Sequence, residues 1–401
     1  MTTRVTAEIV PPPFSVASRG FQTWAATAAA IRVPGAMTPL ALVFLVREQP
    51  DGYQLGAILA GIFVLGEMIG AALSAIGADS PRSRHQLPGG LLVGATALIV
   101  LGVAGQAPMV VLALLAFVAG LAPANAPGSL QAILVERCQE NDVARALAAA
   151  RVHGTIVFSV APALVGFLAL QVAAGAPLVV AGAMMAAGAG AVVFMPSAKP
   201  STRGPGGAPA MARTLAGAWP IYVTAAAVYF LMALAELELV ALLHQRDIAV
   251  GWAGPLLVGF SLVGALGAVG YGRRSWPGSY RVQCLWFTLV MSAGLVAAAV
   301  TPHVLGVGAG LLVAGGAMSC LVLARNLSLR EVLPDYAHRA GFSLIYAASC
   351  LGYSVSGAFA GGALTVTTPE VAILAGIALV LVITVCTAVV ERRGAPRRKS
   401  E

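Results

Sequence analysis

Charged residues are scarce in this chain. Asp, Glu, Lys and Arg make up 10% of its 401 residues, while 59% are hydrophobic and the mean hydropathy is +0.87. A soluble domain of this size could not bury so much apolar surface, whereas a lipid bilayer accepts it. The shortage of charge therefore excludes a soluble globular protein and indicates a polytopic membrane protein. The net charge of +8 requires no nucleic acid partner, because cations collect beside an anionic membrane surface.

Several chemical groupings are also missing. The five cysteines are scattered, without the spacing of a disulfide framework or a metal site. No glycine-rich loop leads into Lys-Ser or Lys-Thr, so ATP-driven transport within this chain is not expected. Asp, His and Ser residues are dispersed, and aromatic residues, at 6%, are too few for a dense stacking surface. We therefore expect neither an enzyme nor a bound cofactor.

The chain instead contains twelve apolar stretches. Each approaches or exceeds the roughly 20 residues that a helix needs to cross about 30 Å of hydrocarbon, and within one span only a helix satisfies every backbone group. The predicted spans are 22–46, 53–76, 87–104, 109–133, 146–171, 176–195, 219–243, 250–272, 282–301, 304–325, 341–364 and 370–391. The expected fold class is therefore an all-α membrane protein with twelve transmembrane helices.

The basic residues lie almost entirely in every second gap between these spans. Of the 24 Lys and Arg residues, Arg47 and Arg246 fall in the other gaps and Arg32 falls inside a span. All the gaps are short, so the positive-inside rule applies and predicts that both termini are cytoplasmic. The N-terminus carries charge and prolines before any apolar run, which is not the pattern of a cleaved signal peptide.

The longest polar break divides the spans six and six. It runs from Pro196 to Ala216, is rich in Pro, Gly, Ser and basic residues, and predicts a flexible linker. A shift of 194 residues places Arg145-Ala146 over Arg339-Ala340, which favours an internal duplication. The predicted organisation is an N-terminal segment 1–21, a six-helix bundle 22–195, a linker 196–218, a second six-helix bundle 219–391 and a basic tail 392–401.

This arrangement of two six-helix halves resembles the major facilitator superfamily. The family's loop motif G-x-L-A-D-R-x-G-R-R aligns with residues 75–84, which keep the Ala-Asp pair at Asp79 and the final Arg84. The motif G-P-x-x-G-G of its drug/proton antiporters is partly kept at Pro162 and Gly166. The resemblance implies alternating access between the two halves. It also implies a gating loop at Asp79, Arg82 and Arg84, with Arg273 and Arg274 at the equivalent place in the second half.

Two oppositely charged residues are predicted near the membrane midplane. Arg32 lies about 15 Å and Glu67 about 14 Å from the cytoplasmic ends of the first and second spans. Because a charge at a helix centre costs roughly 2.5–3.5 kcal/mol, we expect these two to contact each other. Glu67 is then a candidate proton carrier whose protonation changes as helices move. The alternative is a permanent structural ion pair.

The remaining candidates are expected to line a substrate cavity. Pro34 and Met37 belong to a proline-containing segment of the first span that suits a substrate contact or gate, although a static bend is equally consistent. Uncharged or acidic candidates on the fourth and seventh spans are Asn125, Gln131, Tyr229 and Glu236. Glu238 is expected to be solvated or paired, and Arg151 and His153 to extend towards the cytoplasmic surface.

The function expected from these features is secondary active transport in a bacterial plasma membrane. A monomer would export a small amphipathic organic compound, such as a drug or secondary metabolite, against inward proton flow through Glu67 and Arg32. Uptake of a nutrient by proton symport is the alternative within the same class. A non-transporting membrane sensor or assembly factor is the alternative from another class, although no large soluble domain accompanies the spans.

Overall fold

The computed structural model describes residues 15–76, 83–194 and 207–394. Over these ranges the regular structure is helical and contains no strand. The helices are α1 Arg19–Val46, α2 Gly52–Ile76, α3 Ser83–Val103, α4 Met109–Leu121, α5 Ala126–Glu136, α6 Val143–Gln171, α7 Ala176–Phe194, α8 Gly207–Gly217, α9 Trp219–Gln245, α10 Ala253–Arg273, α11 Tyr280–Val300, α12 Val304–Val332, α13 His338–Leu364 and α14 Pro369–Gly394. The described residues include twelve helical segments long and apolar enough to cross a membrane, as the sequence predicts.

The fourth predicted span differs from expectation because it is interrupted. Helix α4 ends at Leu121, α5 begins at Ala126, and the four residues between them form turns. Pro123 and Pro127 lie at this break. Because proline has no backbone N–H, these two positions cannot donate the hydrogen bonds that would join the two pieces into one helix.

The helices form two halves, each with its own apolar core. One core is built from α1 to α7 and includes Trp24, Met37 and Leu130. The other is built mainly from α9 to α14 and includes Leu234, Met291 and Met318. The halves meet where α2 and α5 pack against α13 and where α6 packs against α10. We call the side of the bundle at which α1 begins the basic face, and the side at which α1 ends the opposite face.

The predicted linker contains a helix in its described part. Helix α8 buries Met211 and Leu215 in the core of the second half, while Arg213 on its other side is exposed. The expected flexible linker is thus partly ordered, because this short segment has an apolar side that can be buried.

Arg246 joins three helices at the opposite face. Its guanidinium lies 2.8 Å from the Glu370 carboxylate at the start of α14. It also donates hydrogen bonds to the carbonyls of Ala298, Ala299 and Thr301 at the end of α11. A helix C-terminus carries partial negative charge and free carbonyls, so this cation is well placed to stabilise it. The arrangement explains why a basic residue lies in a gap that otherwise lacks them.

Candidate functional site

Close packing between α2 and α4 sets the direction in which Glu67 points. A Cβ on Gly70 would lie 2.7 Å from Ala124 Cβ, and a Cβ on Gly120 would lie 3.0 Å from the backbone nitrogen of Glu67. Only residues without a side chain allow the two helices to approach this closely. Gly66 also faces α4, and Glu67 follows it by one residue, about 100° further round the helix. The Glu67 side chain therefore lies to one flank of this contact, and its Oε1 lies 3.5 Å from where a Cβ on Gly35 of α1 would be.

Glu67 contacts the other half of the molecule. The hydroxyl of Tyr346, on α13, donates a 3.2 Å hydrogen bond to Glu67 Oε1. The thiol of Cys350, one turn later on α13, lies beside the same pair. Both Glu67 and Tyr346 are half-buried although they lie near the middle of the membrane-crossing length. The bond therefore joins the two halves within the membrane-crossing length.

The expected ion pair between Arg32 and Glu67 is not formed. Among the described residues, neither side chain has an ion-pair partner. The sequence predicted that both residues lie at a similar depth, but it could not predict the direction in which either side chain points. Glu67 is level with Gly35, whereas Arg32 lies almost one turn nearer the basic face and extends towards Gly154 of α6.

Arg32 lies among aromatic side chains rather than carboxylates. Its guanidinium carbon is 5.9 Å from the ring centroid of Trp24, within the range of a cation–π interaction. Trp24 is held by a 2.8 Å hydrogen bond from its indole nitrogen to the Leu130 carbonyl, and it packs against the His153 ring at 5.8 Å. Tyr229 and Tyr346 are close enough to interact with Arg32 electrostatically.

Arg151 reaches into the second half instead of extending to the surface. Its guanidinium lies 3.4 Å from the Tyr229 hydroxyl on α9 and 3.9 Å from the Met318 sulfur on α12. Its Nε is buried and has no hydrogen-bond partner in the described part of the chain. The expectation of an outward-extending Arg151 was wrong. The helix directs this residue at the junction of the two halves, where polar partners from α9 are within reach.

The two glutamates of α9 lie in different surroundings. Glu236 is half-buried, and its Oε2 accepts a 3.4 Å hydrogen bond from the Tyr353 hydroxyl on α13. Glu238 has an exposed fraction of 0%, and neither of its oxygens has a hydrogen-bond partner among the described residues. The expectation that Glu238 is solvated or paired is therefore wrong, because its side of α9 packs into the core of the second half.

Of the other predicted cavity residues, two are half-buried and two are buried in the core of the first half. Asn125 and Gln131 are half-buried on the interrupted helix, and Asn125 Oδ1 has no hydrogen-bond partner in the described structure. Met37 has an exposed fraction of 0% and belongs to the core of the first half, and Pro34 is buried as well. We therefore remove Met37 and Pro34 from the cavity lining. Their side of α1 is covered by its own bundle.

Most of the predicted gating loop in the first half lies outside the described residues. Asp79 and Arg82 fall outside the described residues, as does the side chain of Arg84. Arg273 and Arg274 are exposed at the end of α10 on the basic face.

The halves are in contact at the basic face. An ion pair of 3.4 Å joins Arg330, at the end of α12, to Glu140 in the other half. A Cβ on Gly128 of α5 would lie 2.6 Å from the backbone nitrogen of Ser343 on α13. These contacts join the two halves at the basic face.

Three polar residues of this region were not singled out as site candidates from the sequence. Tyr346, Tyr353 and Arg151 become visible only when α13 and α6 are packed against their neighbours. A tyrosine in an apolar span is a common residue, so the signal was weak. The described residues contain no group of three or more His, Cys, Asp or Glu that could hold a metal ion.

Comparisons with known proteins identify the fold. No family model matches the sequence, and no curated protein matches it significantly. Among solved structures, the human organic anion transporter MFSD10 (TETRAN) is similar with a TM-score of 0.74 and 15% identity, over 92% of this chain and 97% of that chain. A bacterial homologue of the iron transporter ferroportin in an outward-facing state has a TM-score of 0.71 and 16% identity, over 94% and 100%. The chain therefore has the fold of major facilitator transporters, which confirms the resemblance drawn from its two halves.

Proposed function

Starting from a transporter fold of the major facilitator type, we propose that this protein is a proton-coupled secondary transporter of a small organic compound. The observation that carries the proposal is the hydrogen bond between Glu67 and Tyr346. It places an ionisable group of one half directly on the contact with the other half. Protonation of that group therefore acts on the relative position of the two halves, which alternating access requires.

The orientation follows from charge. The basic face carries most of the Lys and Arg residues between spans, so we propose that it is the cytoplasmic side of a bacterial plasma membrane. The described chain begins and ends on this face. The contacts of Glu140 with Arg330 and of Gly128 with Ser343 then close the cytoplasmic side. We infer from these contacts that the conformation faces outward.

The coupling step is proposed at the Glu67 carboxylate. An ionised carboxylate accepts a stronger hydrogen bond than a neutral carboxylic acid, by roughly twofold. Binding of an external proton weakens the bond to Tyr346 and favours the inward-facing state. Release of the proton into the cytoplasm and binding of substrate favour the return. This order of events corresponds to export, with one monomer completing the cycle.

The proposal is tested in inside-out membrane vesicles that are acidified by respiration and loaded with the pH-sensitive dye 9-amino-6-chloro-2-methoxyacridine. A compound library is added from outside, which is the cytoplasmic side. An exporter exchanges each substrate molecule for an internal proton, so dye fluorescence recovers. A proton symporter carries protons inward with the added compound and gives no recovery.

A comparison of two variants tests whether Glu67 is the residue that couples transport to proton movement. We expect Glu67→Gln to abolish the recovery at unchanged protein level, because the amide cannot exchange a proton. Glu48→Gln is the matched control, since Glu48 has an exposed fraction of 82% at the opposite face and should keep full activity. Full proton exchange by Glu67→Gln would exclude this mechanism.

A further inference from the structure

Two guanidinium groups inside the molecule form no ion pair with a carboxylate of the described residues. Arg32 makes no hydrogen bond or ion pair with the described residues, and its clearest contact is the Trp24 ring. Arg151 contacts the neutral Tyr229 hydroxyl and the Met318 sulfur, and its Nε has no partner over the described ranges. Guanidinium carries five N–H donors and no acceptor, so most of this donor capacity is unused.

Two other arginines with buried side chains, in the described part of the chain, are paired with carboxylates. Arg246 pairs with Glu370, and Arg325 pairs with Glu391 at 3.3 Å. In both pairs, a carboxylate from another helix neutralises an arginine that has a structural role. Arg32 and Arg151 are the contrasting case. The carboxylates of Glu67 and Glu236 are bonded to tyrosines, and Glu236 is within electrostatic reach of Arg151 but forms no ion pair with it.

The two unpaired cations converge on one stretch of α6. Arg32 extends to Gly154, where a Cβ would lie 3.7 Å from its Nη1, and Arg151 is three residues earlier on the same helix. Residues three apart lie on the same side of a helix. The two groups are close enough to repel each other, and the Tyr229 hydroxyl lies within electrostatic reach of Arg32 while it contacts Arg151.

Two like charges held together near a membrane centre are unfavourable unless an anion joins them. Each charge costs roughly 2.5–3.5 kcal/mol at a helix centre, and their mutual repulsion adds to this. Neither side chain is fully buried in the fold. Arginine is the side chain best suited to planar, bidentate binding of carboxylate and phosphate groups.

We propose that Arg32 and Arg151 together bind the anionic group of the transported compound, which is an organic carboxylate, sulfonate or phosphate. Tyr229 supplies a further donor to the same group. The assignment names the substrate class for the transporter proposed above and rests on that function for its role in transport. The binding itself requires neither a gradient nor proton coupling.

The test measures binding to the purified full-length protein by its thermal unfolding in detergent. The probes are phenylacetate, phenyl phosphate, benzenesulfonate and succinate, compared with neutral phenylacetamide, cationic phenethylamine and inorganic phosphate at equal ionic strength. We expect organic anions to raise Tm in a saturable manner and the neutral and cationic analogues not to do so. Stabilisation by the amine or the amide, by inorganic phosphate alone, or by none of the organic anions would overturn the assignment.

Variants then locate the site. We expect Arg32→Gln and Arg151→Gln each to weaken organic-anion binding by about 10- to 100-fold, the effect of removing a charged hydrogen-bond partner. Arg32→Lys and Arg151→Lys should retain part of the affinity because they keep the charge. Arg213→Gln, at an exposed position of α8, is the control. Unchanged affinity in both glutamine variants would overturn the proposal, and if one variant cannot be purified, the other decides.

The two proposals fail separately. If the arginine variants lose anion binding while Glu67→Gln still exchanges protons, the coupling mechanism is wrong and the anion site stands. If anion binding is absent while proton exchange with another compound depends on Glu67, the anion site is wrong and the coupling mechanism stands.

Discussion

The Tyr346 hydroxyl donates a 3.2 Å hydrogen bond to Glu67 and so links α13 of one half to α2 of the other. The two residues are 279 positions apart in the chain. Gly70 and Gly120 allow α2 to pack closely against α4, while the Glu67 side chain lies between Gly35 of α1 and Tyr346 of α13. The carboxylate of one half thus accepts its hydrogen bond from a hydroxyl of the other half.

Removing the donor should weaken the outward-facing state. Tyr346→Phe keeps the ring but loses the hydroxyl, and a hydrogen bond to a charged group contributes about 1.5–3 kcal/mol. We expect the distance between spin labels at Glu48 and Gln245, one in each half at the opposite face, to shorten. Tyr53→Phe, at a residue with an exposed fraction of 72%, is the control. An unchanged distance distribution in Tyr346→Phe would show that the bond does not hold the halves.

Acidification should act in the same direction on the unmodified protein. Protonated Glu67 is a weaker acceptor than the carboxylate, so lowering the pH favours the state in which the opposite face closes. We expect the same label distance to shorten as pH falls. Glu67→Gln should already show the shorter distance at high pH and respond little to acid. An equal pH response in both proteins would place the proton-sensitive group elsewhere.

Arg246 should contribute strongly to the stability of the second half. Its loss leaves the α11 carbonyls and the Glu370 carboxylate without their donor. Glu370 is partly exposed, which reduces the effect, so we expect Arg246→Gln to lower the free energy of unfolding by about 2 kcal/mol. Thermal unfolding in detergent measures this, with Arg213→Gln as the control. Equal melting temperatures for the two variants would contradict the structural role.

Glu238 should be a destabilising residue. Its carboxyl is inaccessible to solvent and has no hydrogen-bond partner among the described residues. An unsatisfied buried polar group costs about 1–3 kcal/mol, and an apolar side chain of similar size removes that cost. We expect Glu238→Leu to raise the melting temperature. A lower melting temperature would indicate that the carboxyl has a stabilising partner in the membrane.

Two glycines of α2 differ in the space around them, and this difference gives a test within one helix. A Cβ on Gly70 would collide with the Leu121 carbonyl and with Ala124 on the neighbouring helix, whereas Gly61 has open space around it. We expect Gly70→Leu to abolish recovery of monodisperse protein in size-exclusion chromatography and Gly61→Leu to be tolerated. Comparable recovery of the two variants would show that α2 and α4 can separate without loss of the fold.

The transmembrane organisation was readable from the chain because it depends on local properties. Span length, the alternation of basic gaps and the six-and-six division require only composition along the sequence, and the twelve predicted helices are present. The break between α4 and α5 was missed, although Pro123 and Pro127 marked it. The prediction relied on the length of the apolar stretch and did not take into account that the two prolines lack a backbone N–H.

The partners of the charged residues were not readable in the same way. The sequence determined that Arg32 and Glu67 lie inside spans at similar depth, and that such charges are costly there. Only the tertiary structure decided that Glu67 bonds to Tyr346, that Arg32 and Arg151 form no ion pair with the residues described, and that Glu238 is buried. The physical reason is that lipid and protein core are both apolar, so a membrane helix carries little polar periodicity to show which side faces inward. Close approaches between helices, such as Gly70 and Gly120 allow, fix the rotation, and those depend on the whole fold.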